Sequence, residues 1–382
     1  MRTYFSQTIY NIKKIVNTII NLRKRKKCDA LVRKINLDDN VADNRDRLPP
    51  KKISSILFLD TLDCFGDALF INGIIHQLNK IHPNVQIVIS TSKKLRSIYA
   101  TSTCEIIDLS TPLPSADLII DLCYSDNALF DFRIAKLQSS HSFIITCSRL
   151  LANAKIFSTH LDLLNTKHFG ERTQQITSTI HKLCNNQINT VTQNTAINKK
   201  ESSGILFPFL PRTKNKSIKD NLIYINTEGR TADRNISPEQ LDYIAKHLSH
   251  YFPKIKSIVY SNNIQIIKII KQYPQLSLAR TKTFLDACHL VENSILTITP
   301  DTSIVHVASA YNIPVIALYC GNDLEYFREY PTSKIWAPLS QQKTLLTPPV
   351  FGLDQVPINK IDPIKITKAI DRLLPQLIAH HQ

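Results

Sequence analysis

The stretch from Ser294 to Tyr319 constrains the fold more than any other part of the sequence. Residues 294–299 form an apolar, β-branched run that is typical of a buried strand in a parallel sheet. Residues 304–311 have helical spacing, and residues 314–319 resemble a second strand. A strand, a helix and a second strand in this order predict a parallel βαβ unit.

Asp301, Thr302 and Ser303 lie between the first of these strands and the helix. Asp, Thr and Ser are frequent helix caps, and the free backbone N–H groups at a helix start attract anions. We therefore predict that this turn holds a phosphate group. His306 follows about one helical turn later, and a lone His in this position is interpreted first as a structural residue.

The same alternation of strands and helices extends through most of the chain. The other predicted strands are 53–60, 85–90, 106–109, 117–123, 142–146, 222–226 and 257–260, and the clearest other helices are 68–81 and 238–251. With 382 residues and 43% hydrophobic composition, the chain can bury two cores. We predict an α/β protein of two doubly wound, Rossmann-like domains that face a cleft.

Two polar stretches suggest where the domains end. Residues 38–52 contain a double Pro, and residues 185–203 are rich in Asn, Gln, Thr and Lys. We therefore divide the chain into four parts. They are a basic extension (1–50), a first Rossmann-like domain (51–200), a second Rossmann-like domain (201–350) and a C-terminal helical segment (351–382).

The N-terminal segment, residues 1–27, carries eight Lys or Arg and no acid, which is half of the net charge of +16. Its apolar residues Phe5, Ile9, Ile12, Val16 and Ile19 recur at helical spacing. A basic amphipathic helix of this kind can lie on an anionic membrane surface. Packing on the protein itself and a mobile tail are the alternatives. No RNA- or DNA-binding motif supports nucleic-acid binding.

The eight Cys residues are scattered without metal-ligand spacing, which favours free thiols in a reducing compartment and no metal site. No run approaches the roughly 20 apolar residues of a membrane span, and the N-terminus lacks a signal-peptide core. We therefore expect a cytoplasmic protein.

Two further loops carry residues suited to chemistry. Gly66 and Asp67 lie in the first strand-to-helix loop, where Asp67 either faces a ligand or simply caps a helix from Ala68. Residues 226–234 follow a later strand, and their Thr227 and Arg234 suit a diphosphate, although an ordinary polar loop is the alternative. No dinucleotide-binding or P-loop glycine pattern occurs.

The order of these features resembles glycosyltransferase family 9, the bacterial heptosyltransferases of lipopolysaccharide core synthesis. The resemblance covers about residues 53–340. It rests on Gly66-Asp67, on the loop from Thr227 to Arg234, on Asp301-Thr302 with His306, and on Gly321 and Asp323 after a Val-Ile-Ala-Leu-Tyr strand.

This resemblance implies a GT-B fold and inverting transfer of heptose from a nucleotide-diphosphate donor, typically ADP-heptose, without metal or cofactor. The domain at 51–200 would bind the acceptor and the domain at 201–350 the donor. Asp67 would be the general base that deprotonates the acceptor. The implied donor-binding residues are Thr227, Glu228, Arg234, Asp301, Thr302, Ser303, His306, Gly321 and Asp323. The acceptor would be a lipid-linked acidic oligosaccharide at the inner face of the inner membrane.

Departures from the family pattern leave two alternatives open. Ser303 stands where Gly is common, and Arg234 stands where Lys is usual, so a different nucleotide sugar is one alternative. A catalytically silent, membrane-associated partner is the other. Intact Asp67 and Asp301 favour the enzyme.

Overall fold

The computed structural model divides into two compact units. The first comprises Met1–Thr166 with Glu171–Leu206, and the second comprises Lys167–Gly170 with Phe207–Gln382. The residues described are 26, 29–30, 32–37, 43–45, 47–122, 137, 142–147, 154–155, 157–161, 168–185, 205–212, 221–322, 331–350 and 355–379. The predicted amphipathic helix in residues 1–27, residue 26 apart, and the predicted boundary at 200/201 lie outside these ranges.

The first unit contains a six-stranded parallel sheet in the order β3-β2-β1-β4-β5-β6. Its strands are β1 (Ser55–Leu59), β2 (Gln86–Thr91), β3 (Glu105–Asp108), β4 (Leu118–Asp121), β5 (Phe143–Thr146) and β6 (Thr159–His160). Its helices are α1 (Phe65–Ile81), α2 (Arg96–Tyr99) and α3 (Phe169–Cys184), the last of which begins within the segment 167–170 counted with the second unit.

The second unit contains another six-stranded parallel sheet, in the order β12-β11-β10-β7-β8-β9. Its strands are β7 (Leu222–Asn226), β8 (Lys256–Tyr260), β9 (Leu276–Leu278), β10 (Leu296–Pro300), β11 (Val315–Leu318) and β12 (Lys343–Leu346). Its helices are α4 (Pro238–Tyr251), α5 (Ile264–Ile270), α6 (Phe284–Glu292), α7 (Ser303–Tyr311), α8 (Thr332–Ile335) and α9 (Pro363–Ala379).

Both sheets have the same topology, because each runs outward from its first strand in one direction and then reverses. The reversal lies between β1 and β4 in the first unit and between β7 and β10 in the second. This is the doubly wound order that was predicted. The strands β1 and β10 are buried along nearly their whole length, as strands of a sheet covered on both faces are.

The helices of the second unit begin at strong sequence signals. The hydroxyl of Ser237 accepts a hydrogen bond from the Gln240 backbone N–H, and the Gln240 side chain accepts one from the Ser237 N–H, which together form a capping box. Helix α9, in the predicted C-terminal segment, buries Ile366, Ile370 and Leu374 in the core of the second unit.

Candidate functional site

Polar residues follow both strands at the reversal point of the second sheet. β7 and β10 are parallel neighbours, with Ile225 paired to Ile298. A loop and the 3-10 turn Ala232–Arg234 follow β7, and helix α7 follows β10. In doubly wound sheets, ligands bind beyond the carboxyl ends of the strands at such a reversal.

Helix α7 begins at Ser303, and Thr302 is its N-cap. The hydroxyl of Thr302 accepts a hydrogen bond from the Ile304 N–H at 3.3 Å. Ser303 is half-buried in the first turn. Because the first-turn N–H groups and the helix dipole give this end positive potential, the turn has the character predicted for an anion site.

Asn226 joins the two strands of the site, and sequence reasoning did not select it as a site residue. Its Nδ2 donates hydrogen bonds to the hydroxyls of Thr299 at 3.1 Å and Thr302 at 3.3 Å, and to the Glu228 carbonyl at 3.1 Å. The sequence signal that could have identified Asn226 is its position as a polar residue at the end of a buried strand. Asn226 therefore fixes the start of α7 relative to the loop after β7.

Arg234 and Asp301 form an ion pair across the same reversal. Arg234 Nη1 donates to Asp301 Oδ2 at 3.0 Å, and the two side chains are 20% and 8% exposed. The pair brings together two residues that sequence reasoning placed in separate motifs. It also orients the guanidinium beside the N-terminal turn of α7.

Gly229 allows the loop after β7 to fold tightly around Arg234. A Cβ atom at this position would lie 2.4 Å from Arg234 Cβ and 2.6 Å from the Arg234 carbonyl oxygen. The Gly229 N–H also donates to Asn235 Oδ1 at 2.7 Å. Since any side chain would displace Arg234, glycine is required by close approach rather than by an unusual backbone angle.

Thr227 and Glu228 make structural bonds toward β8. Thr227 is fully buried, and its hydroxyl donates to the Tyr260 carbonyl at 2.9 Å. Glu228 Oε1 accepts hydrogen bonds from the Ser261 hydroxyl and the Asn262 N–H, each at 2.8 Å. Both predicted residues thus lie in the loop of the site and hold its shape.

His306 lies inside the core of the second unit. It is 4% exposed, and its ring centroid lies 5.5 Å from that of Trp336. Burial, with a smaller effect from His168, lowers the pKa of His306 to about 3, so the ring is neutral at pH 7. A neutral, buried imidazole matches the structural interpretation better than a cation that contacts phosphate.

Gly321 forms an antiparallel bridge with Val356, with two N–H···O bonds of 2.8 Å. A Cβ at Gly321 would lie 2.8 Å from Val350 Cγ2 and 3.2 Å from Pro348 Cγ. Packing between chain segments therefore explains this glycine. Asp323 lies outside the described residues.

In the first unit, Gly66 and Asp67 lie in the first turn of α1 rather than in the loop before it. The helix begins at Phe65, because Cys64 has an extended backbone and its carbonyl already accepts the Ala68 N–H at 3.0 Å. The left-handed residue of this loop is Asp63, with φ of 52°. Asp67 is half-buried, and a carboxylate in the first turn is favoured by the helix dipole.

The loop from Asp60 to Cys64, which leads into α1, is tied to its neighbours. Asp60 is buried and accepts hydrogen bonds from the Tyr99 hydroxyl at 2.6 Å, the Leu62 N–H at 3.1 Å and the Thr91 hydroxyl at 3.2 Å. Burial raises the pKa of Asp60, against the effect of these hydrogen bonds.

A cation approaches this loop from the segment after β2. Lys94 Nζ lies 2.9 Å from the Asp63 carbonyl oxygen and 5.0 Å from the centre of the Phe65 ring. Sequence reasoning missed Lys94, because it comes from a different loop and has no motif of its own. It supplies positive charge to the loop that leads into α1.

Comparisons with known proteins bear on the family and the fold. Residues 264–347 match the model of glycosyltransferase family 9 (heptosyltransferase), and this segment contains Asp301 to His306. The resemblance to family 9 is confirmed. No curated protein matches the chain.

Three solved structures of similar fold extend the comparison beyond the matched segment. A family 9 glycosyltransferase from Veillonella parvula is 12% identical, with a TM-score of 0.62 over 88% of this chain and 100% of its own. ADP-heptose lipopolysaccharide heptosyltransferase II of E. coli is 15% identical, with a TM-score of 0.64 over 84% and 99%. E. coli heptosyltransferase WaaC with ADP-2-deoxy-2-fluoro heptose is 12% identical, with a TM-score of 0.57 over 83% and 99%.

These findings confirm the predicted fold class, because two six-stranded parallel sheets with flanking helices match the GT-B-like architecture of these enzymes. The family 9 segment and this architecture support a glycosyltransferase. Within the described ranges, no three His, Cys, Asp or Glu side chains are grouped so as to hold a metal ion. No described helix has the length and apolar character needed to cross a membrane.

Proposed function

We propose that the protein is an inverting, metal-independent transferase that moves heptose from ADP-heptose to the lipopolysaccharide inner core. The observation that carries the proposal is the start of α7 beside the Arg234–Asp301 pair, at the reversal point of the second sheet and partly within the family 9 segment. Solved relatives of similar fold include heptosyltransferases described with ADP and with an ADP-heptose analogue.

The donor diphosphate would lie at the N-terminal turn of α7. Thr302 and Ser303 offer hydroxyl and backbone groups there, and Arg234 adds a guanidinium held in position by Asp301. As the bond from the anomeric carbon to the diphosphate oxygen breaks, negative charge grows on ADP. Preorganised hydrogen-bond donors and cationic side chains stabilise that charge more in the transition state than in the ground state.

Asp67 would act as the general base. Its carboxylate would take the proton of the acceptor hydroxyl while the hydroxyl oxygen bonds to the anomeric carbon, and ADP would leave with the electron pair from the opposite face. One base on the acceptor side suffices for such an inverting displacement. Its place in the first turn of α1 fixes the carboxylate on a rigid element.

The acceptor would be the acidic, lipid-linked core oligosaccharide at the inner face of the inner membrane. The net charge of +16, half of it in residues 1–27, suits an anionic acceptor and an anionic surface. A different nucleotide sugar is the second candidate, because Ser303 and Arg234 depart from the family pattern in the loops that would contact the donor.

Calorimetric titration with ADP-, UDP- and GDP-sugars tests the donor. Tightest binding of ADP-heptose is expected, followed by a heptosylated product when core acceptor is added. Preference for another nucleotide would support the second candidate, and absence of any product with intact donor binding would support a silent family relative.

The Asp67→Asn substitution tests the base. It removes the proton acceptor but keeps side-chain size, so turnover is expected to fall by roughly 10²–10⁴-fold with nucleotide affinity unchanged. Asp63→Asn is the matched control, since Asp63 is an exposed acid of the same segment and Asn tolerates its left-handed backbone. Equal turnover in the two variants would exclude Asp67 as the base.

A further inference from the structure

The β8–β9 side of the second unit is strongly basic. No Asp or Glu occurs between Asp242 and Asp286, whereas seven Lys or Arg residues do. All seven are exposed, and Lys246 among them pairs with Asp242. The other six are Lys254, Lys256, Lys268, Lys271, Arg280 and Lys282. An acid-free stretch of this length creates a positive surface, and it includes none of the residues assigned above to the site at the reversal point.

Apolar side chains are exposed among these cations. Helix α5 contains five isoleucines in seven residues, and Ile264 at its start is 69% exposed. Leu278, on the edge strand β9, is 38% exposed. Exposed apolar groups that cluster in this way on a soluble surface usually mark an interaction site.

A surface cavity of about 590 Å³ lies between α5 and β9. Ile267, Ile270, Leu276 and Leu278 line it together with the exposed Lys271 and Arg280, and none of the described residues that line it is acidic. Residues 264, 267, 268 and 271 are three or four apart, so two isoleucines and two lysines form one continuous stripe. Apolar walls with cations at the exposed side suit an amphiphile that has an anionic head group.

We propose that this surface, formed by α5, β9 and the segment through Lys282, docks onto acidic phospholipids of a membrane. The cations would bind lipid phosphates, and Ile264, Ile267 and Leu278 would enter the acyl boundary. Each cation near an anionic bilayer contributes to binding, and buried apolar side chains add to it. The surface does not include residues 1–27, and the proposal stands whether or not the chain transfers heptose.

Cosedimentation of the full chain with vesicles tests the surface. The triple variant Lys268→Glu, Lys271→Glu and Arg280→Glu is compared with Lys360→Glu, Lys365→Glu and Lys368→Glu. The second set is equally exposed, lies in the same unit and changes net charge by the same amount. Partitioning into vesicles of phosphatidylcholine and phosphatidylglycerol is expected to fall by at least about tenfold in the first variant and by no more than about twofold in the control. Residues 1–27 are present in both.

The apolar part is tested separately with Ile264→Asn, which leaves the charge unchanged. A severalfold loss of binding, larger at high salt where the ionic contribution is screened, is expected. Equal losses in the two charge variants, undiminished binding in the first, or strong binding to pure phosphatidylcholine would each overturn the proposal. Loss of binding to a single-stranded oligonucleotide with vesicle binding retained would assign the surface to nucleic acid instead.

Discussion

At the residue scale, Arg234 and Asp301 form one ion pair but are expected to have different roles. Asp301 is 8% exposed, and its carboxylate accepts the guanidinium at 3.0 Å, so it both balances and positions Arg234. Arg234 is the group that would contact the donor, and Asp301 acts through it.

Arg234→Ala is therefore expected to weaken ADP binding by roughly tenfold to a hundredfold, the effect of a charged hydrogen-bond donor. Asp301→Asn is expected to destabilise the protein by about 1–3 kcal/mol, because it removes the charged acceptor of a hydrogen bond from a mostly buried guanidinium. Calorimetry and urea unfolding measure the two effects. Arg230→Ala, an exposed Arg in the same loop, is the control, and an equal loss of ADP affinity there would refute a specific role for Arg234.

His306 makes a prediction for pH. Its folded pKa of about 3 lies below the ordinary value of 6.5. Between these pH values the unfolded chain binds a proton at His306 that the folded chain does not. The contribution of this pKa difference to the unfolding free energy is therefore fully present above about pH 6.5 and is lost as the pH falls. The expected loss is about 2 kcal/mol at pH 5.

Urea unfolding between pH 5 and 7.5 measures this loss. His306→Gln has lower stability throughout, but its stability should depend less on pH by about that amount. Identical pH dependence in the two proteins would show that His306 is not held neutral.

At the element scale, the loop after β7 and the bridge after β11 each contain one tightly packed glycine. A Cβ at Gly229 meets Arg234 Cβ at 2.4 Å and Arg234 backbone at 2.6 Å, whereas a Cβ at Gly321 meets the Val350 side chain at 2.8 Å. A clash with backbone atoms is relieved less easily than a clash with the end of a side chain, which can rotate away.

Gly229→Ala is therefore expected to cost about 2–3 kcal/mol and to weaken ADP binding by a factor similar to that of Arg234→Ala, because Arg234 must move. Gly321→Ala is expected to cost about 1 kcal/mol and to leave ADP affinity unchanged. Unfolding midpoints and calorimetry compare them. Retained ADP affinity in Gly229→Ala would mean that the loop relaxes without moving Arg234.

Sequence signals located some elements to the residue and missed others. β7 and α4 were predicted with their observed bounds, since Leu222–Asn226 is a buried apolar run and the Ser237-Pro238 start has a capping box. The edge strands β9 and β12 were missed, because each is short and half exposed and so lacks a continuous apolar pattern. Helix α3 was missed because its sequence is mostly polar.

The candidate site also contains features that the sequence predicts and features that it does not. The turn at Asp301–Ser303 was predictable because strand, cap and helix are adjacent in sequence. The bond between Arg234 and Asp301 joins residues 67 positions apart, and no local pattern specifies it. The roles of Asn226 and Lys94 likewise depend on contacts between separate loops.

At the scale of the whole molecule, the chain has one Trp, and it reports on the second unit. Trp336 stacks on Phe169, which lies in the segment 167–170 counted with this unit, with ring centroids 4.4 Å apart. The Trp336 carbonyl accepts the Tyr319 hydroxyl at 2.8 Å. Trp fluorescence therefore follows the unfolding of the unit that would bind the donor, whereas circular dichroism follows both units.

ADP at a hundred times its dissociation constant is expected to raise the unfolding free energy measured by Trp fluorescence by about 2.7 kcal/mol. The circular dichroism transition should become biphasic or shift less. Urea titrations with ADP, and with UDP as control, measure this. Equal shifts in both signals would mean that the chain unfolds in a single step.

The repeated sheet topology has a consequence for stoichiometry. Two reversal points of the same order offer, in principle, two places for a nucleotide. At the first, a phosphate would lie among acidic residues, because Asp60 and Asp67 follow β1 and Asp121 ends β4. At the second, it meets Arg234 and the start of α7. Charge, rather than topology, thus allows only one of two equivalent positions to be filled, and we expect one nucleotide per chain.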